Sequence, residues 1–183
     1  MKDDDTNKAE RMFLLERKSL ILEGLDYIDS EIYRPNFLEA LDSMGWRCVI
    51  VPDDEWCPSK WFPTESSIDQ KETRILQSYL QRNPNMFGYL DSCGWAYHEL
   101  VHAAIFSGRF PYEFLKRVSS PFDYPLNTDE VFCYGYQLKK LISENRVGRF
   151  TRNVAVRFGS IRLGIHALTK ALFNQNKQER QVE

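Results

Sequence analysis

Residues 93–106, CGWAYHELVHAAIF, set the tightest constraint on how this chain folds. They lie between Asp91-Ser92, a pair suited to capping a helix, and Ser107-Gly108, suited to ending one. Leu100, Val101, Ala103 and Ala104 are uncharged, as expected of a helix buried in a cleft rather than lying on a surface. That helix nevertheless carries His98, Glu99 and His102, including two of the three histidines in the chain. Polar groups placed inside a protein need partners or a ligand.

The remaining pattern surrounds this helix with other helices and a small sheet. Leu14, Ile21, Leu25, Ile28 and Ile32 predict a helix from Lys8 to about Ser30. Asn36 is a natural N-cap for a short helix, FLEALDSM, that Gly45 ends. Residues 46–52, WRCVIVP, predict a strand, being β-branched and aromatic between a glycine and a proline. The stretch 52–67 reads as an ordered loop in which Trp56 and Trp61 either anchor the loop or wall a cleft. A helix is expected from about Asp69 to Gln81, and a second extended segment over Met86–Leu90. Pro111 opens a short helix, PYEFLKRV, and Thr128 caps another from Asp129 to about Ser143. A last helix, about Phe150 to Asn174, carries an apolar stripe through Phe150, Val154, Phe158, Ile161, Ile165, Leu168 and Leu172. Such a stripe packs within the chain or forms an oligomer contact.

A length of 183 residues suits a single domain, with 1–6 and 175–183 as frayed ends. The net charge of −2 is unevenly spread: residues 139–183 carry 10 Lys and Arg against 3 Asp and Glu. Arg146, Arg149, Arg152, Arg157 and Arg162 fall in that basic part. Nucleic acid is therefore a candidate partner, although a solvated helix face explains the charge more simply. No apolar run reaches a membrane-spanning length and the polar start has no signal-peptide character. Four cysteines without a CxxC pair fit a reducing cytoplasm.

His98 and His102, four positions apart, share one helix face and can both point a ring nitrogen at one zinc ion. Glu99 is offset by about 100° and is the natural base for a water that zinc acidifies. The plain alternative is a buried helix with two satisfied core histidines. A third ligand must come from elsewhere. Gly108 stands where a third histidine of the HExxHxxGxxH pattern would be, Glu113 follows too closely, and His166 lies on the last helix. Glu130, 28 residues past His102, is the preferred third ligand, with Asp129 a competitor or an acceptor for a histidine N–H. Cys133 and Tyr134, one turn on, line the same cavity.

YHELVHA followed by TDEVFCYGYQL resembles the minimal gluzincins, zinc peptidases with HExxH on one helix and a glutamate ligand on the next. It is similar in particular to small zincin-like domains of phages and other mobile elements. The resemblance covers residues 93–141 and lacks the NExxSD signature of the thermolysin type. It implies an α+β, mostly helical zincin-like metallopeptidase domain with a small sheet packed on the active-site helix and a long C-terminal helix. It also implies one zinc per chain held by His98, His102 and Glu130, Glu99 as general base, and a protein or peptide substrate. Tyr97, Tyr112, Tyr124, Tyr134 and Tyr136 are candidate transition-state donors. An extended peptide would add to a sheet edge, either Met86–Leu90 or Trp46–Val51. The competing expectation is a regulatory or binding module on the same scaffold, contacting nucleic acid or a protein through its basic C-terminal region.

Overall fold

The computed structural model describes residues 18–57, 62–118 and 128–146. The segment before Lys18, Trp61, Tyr124, His166, the four arginines from Arg149 to Arg162 and the apolar stripe over 150–172 lie outside the described residues.

Helix α1, described over 18–27, runs into a π-helical turn, Ile28–Ile32. Asn36 then starts α2, Phe37–Ser43, its Oδ1 accepting the Glu39 amide at 2.9 Å, and Gly45 follows with a left-handed φ of 72°. Strand β1, Arg47–Val51, falls where the β-branched run predicts it. Two expectations fail next. Residues 64–67, expected as loop, form β2, Thr64–Ser67, and the front of the expected Asp69–Gln81 helix is β3, Glu72–Leu76. Only Gln77–Arg82, α3, is helical there.

The sheet order is β1-β3-β2, with β1 parallel to β3 from Arg47↔Glu72 to Val51↔Leu76. Strand β2 is antiparallel to β3, from Thr64↔Ile75 to Ser67↔Glu72. The central strand holds the buried Glu72 because a neighbour pairs with it. Glu72 is buried, and Arg47 of β1 reaches its Oε2 at 2.9 Å. Thr73 and Ile75 are fully buried. Pairing across strands, not local propensity, makes ETRIL a strand.

Met86–Leu90 is not extended either. Met86–Gly88 is a 3₁₀ turn and Tyr89 takes a left-handed φ of 66°. That conformation is costly for a residue with a Cβ and is held by packing. The Tyr89 ring, 1% exposed, stacks between Tyr33 at 5.0 Å and Tyr97 at 4.9 Å.

Helix α4, Trp95–Phe106, runs through the middle of the molecule, and every side chain from Trp95 to Ala104 is buried. Its start is fixed by Asp91, whose carboxylate accepts the amides of Cys93, Trp95 and Ala96 at 2.9–3.2 Å and the Tyr79 hydroxyl at 3.0 Å. Gly94 turns the chain into the helix with φ 71°, and a Cβ there would press on Gln137 and Leu141 at 3.2–3.3 Å. Helix α5, Tyr112–Val118, follows, and α6, Thr128–Ser143, packs along α4. Strands β2 and β3 meet the other side of α4. The described molecule is thus α+β and mostly helical, with a three-stranded sheet beside a buried central helix. None of its described helices is long and apolar enough to cross a membrane.

Candidate metal centre

Two helices supply the site. On α4, His98 and His102 sit one turn apart with ring centroids 4.9 Å apart. Asp129 and Glu130 occupy the first turn of α6, which brings them against those rings. His98 Nε2 lies 3.4 Å from Glu130 Oε2, and His102 Nε2 lies 3.4 Å from Glu130 Oε1. Ligand bonds of 2.0–2.2 Å at a tetrahedral angle put neighbouring donor atoms about 3.4 Å apart, so each contact has the length of an edge around a zinc ion.

The other ring nitrogens are also accounted for. His98 Nδ1 is 3.2 Å from Gln137 Oε1, and Gln137 Nε2 donates to the Cys93 carbonyl at 2.7 Å. With its amide group fixed in this way, Gln137 accepts an Nδ1–H and leaves the Nε2 lone pair of His98 facing Glu130. His102 Nδ1 is 3.5 Å from Asp129 Oδ2, beyond good hydrogen-bond geometry. Both His102 Nδ1 and Glu130 Oε2 are buried without a hydrogen bond. Two orphaned polar atoms in one buried cluster fit residues arranged to hold a cation. The donor types present, imidazole and carboxylate with a thiol nearby, suit zinc.

Burial and neighbouring charges shift the titration of all four groups. Burial disfavours the charged form of His102, but the adjacent Cys133, Asp129 and Glu130 outweigh it and raise its pKa well above 6.5. Burial, then repulsion from His102, lowers that of His98. Burial works against ionised Glu130 and Asp129, yet the adjacent His102 leaves both below the usual carboxylate range.

Glu99 sits beside this pair and is 3% exposed. Its Oε1 accepts from Thr64 Oγ1 at 2.8 Å and its Oε2 from Ser66 Oγ at 2.5 Å. Alternate residues of β2 share one face of the strand, so the period of two aims both hydroxyls at α4. A carboxylate has about four acceptor sites, so two remain after these bonds.

Of the candidate tyrosines among the described residues, Tyr134 is the one whose ring packs on the site, edge-on to His98 with centroids 4.5 Å apart. The Tyr97 hydroxyl donates to Glu144 and the Tyr136 hydroxyl to Asp29 at 2.8 Å, so both are committed elsewhere. Tyr112 is 70% exposed and Glu113 is exposed on α5. Arg146 is drawn inward by Glu144 and the Asp91 carbonyl. Sequence reasoning missed Thr64, Ser66 and Gln137. Gln137 is recoverable in principle, since positions 130, 133–134 and 137 fall on one helix face. The two hydroxyl residues are not, because 64–67 does not read as a strand. Of the two edges expected to receive a peptide, Met86–Leu90 is not a strand, whereas Trp46–Val51 contains β1, an edge strand; the strand that touches Glu99 is β2.

Compared with known proteins, the chain matches no family model, no curated protein and no solved structure.

Proposed function

We propose that this chain is a zinc-dependent hydrolase of the HExxH kind that cleaves peptide bonds. The observation that carries the proposal is the pair of 3.4 Å contacts from His98 and His102 to Glu130, with Glu99 buried beside them. His98, His102 and Glu130 would hold the ion, with Gln137 orienting the His98 ring. Bound there, zinc supplies a Lewis acid that polarises a carbonyl and acidifies a water. Glu99 takes the proton of the attacking water and returns it to the departing amine. Thr64 and Ser66 hold the carboxylate in place for both transfers, so its orientation is set before substrate arrives. Tyr134 is the candidate donor to the developing oxyanion. Strand β2 is hydrogen-bonded to β3 on one side and, among the described strands, to none on the other. An extended peptide adding to that free edge would lie next to Glu99.

The test is Glu99→Gln. That change keeps the size of the side chain and both hydroxyl contacts but removes the base. Cleavage of a quenched-fluorescence peptide library should fall by about 10²–10⁴-fold with metal content unchanged. Undiminished cleavage would sink the assignment.

A further inference from the structure

Cys133 stands one turn after Glu130 on α6, and its side chain is fully buried. Its Sγ and one ring nitrogen each from His98 and His102 all lie within 4.8 Å of one another. Residues three apart on a helix are neighbours, so Glu130 and Cys133 face the same two histidines from successive turns. Nδ1 of His102, a member of this group, and Oε2 of the adjacent Glu130 are both buried without a hydrogen bond. Two imidazoles and a thiol therefore converge, and Glu130 contacts both imidazoles at 3.4 Å from the preceding turn.

Resting on the metal-centre reading above, we propose that Cys133 is the fourth protein ligand and closes the site in a resting state. A zinc–thiolate pair needs nitrogen and sulfur about 3.6 Å apart, given bonds near 2.0 and 2.3 Å. The 4.8 Å limit leaves at most about 1.2 Å to close, within the travel of Sγ about its single side-chain torsion. On binding, the thiol proton leaves to solvent, a sulfur–metal bond forms, and a water gives up the position. No oxidant is needed. Four protein ligands define a closed zinc site, whereas catalysis keeps one position open for water. Hydrolysis then requires that Cys133 give way to water, so the thiol lowers the cleavage rate of the wild-type protein without abolishing it.

Cobalt(II) in place of zinc reads this out without any activity measurement. The wild-type protein loaded with cobalt should show a thiolate-to-cobalt charge-transfer band in the near ultraviolet, together with visible bands of four-coordinate cobalt. The band should vanish in Cys133→Ser and persist in Cys93→Ser. Because the band is read in the wild type, the proposal stays testable even if the Cys133 variant folds poorly. Glu130→Gln should keep the band but change the visible spectrum, as one of four ligands is altered. Visible bands that disappear in His102→Ala, with no charge-transfer band in the wild type, would refute the Cys133 proposal and leave the hydrolase reading standing. A band unaltered by Cys133→Ser, or a visible spectrum unaltered by Glu130→Gln, would also overturn it. Failure of the wild-type protein to bind cobalt at all would refute both.

Discussion

Asp91→Ala should be the most damaging single change outside the metal cluster. The Asp91 side chain is fully buried and accepts four hydrogen bonds, three from the amides that open α4 and one from Tyr79. Truncation removes a helix cap, worth up to about 2 kcal/mol. It also strands the buried Tyr79 hydroxyl, at about 1–3 kcal/mol for a lost partner. The combined cost is roughly 3–5 kcal/mol, a large part of the 5–15 kcal/mol typical of a whole domain. With a urea dependence near 2 kcal/mol per molar, the unfolding midpoint should drop by about 2 M at constant slope. Asp91→Asn keeps the shape and loses mainly the acceptor facing Ala96, so it should recover more than half of that drop. A midpoint within about 0.3 M of wild type for Asp91→Ala would refute the reasoning, because the start of α4 would then be held by packing alone.

Three other outcomes follow from the same geometry. A Cβ at Gly24 would fall 2.5 Å from Phe132 Cε1, and Phe132 is fully buried. Gly24→Ala gains about 1 kcal/mol of helix propensity but loses about 1–3 kcal/mol to overpacking, so thermal unfolding should show a net loss. Ser66→Ala removes a 2.5 Å bond to the buried Glu99 carboxylate and should cost about 1.5–3 kcal/mol in urea unfolding, with Ser66→Thr recovering most of it. The raised pKa of His102 gives a sign for pH: its contribution to metal-free stability is present below 6.5 and is lost as pH rises through the higher folded value. Metal must displace that proton, so zinc affinity measured by competition with a chelator should tighten as pH rises from 6.5.

Much of the frame was legible because its signals are local. Asn36 as a cap, the β-branched run of β1 and the glycine stops at Gly45 and Gly108 each act within a few residues. The uncharged flanks of His98 and His102 announced the buried central helix for the same reason. The failures cluster where distant partners decide. Glu72 and Arg74 look helical in isolation and become strand residues because Arg47, 25 positions earlier, neutralises Glu72 across the sheet. Tyr89 adopts its left-handed turn because Tyr33 and Tyr97 clamp its ring from both sides. The site divides in the same way. Spacing alone paired the two histidines and pointed to Glu130, whereas the hydroxyls that grip Glu99 depend on a strand visible only after the fold is built.

The most direct test of the metal centre is the zinc content of the purified protein by mass spectrometry, beside His102→Ala and Glu130→Ala. One zinc per chain in the wild type, lost or greatly weakened in both variants, is the predicted result. A wild-type protein that holds no zinc even after loading would contradict the account, and His98, Glu99 and His102 would then be ordinary polar members of a buried helix.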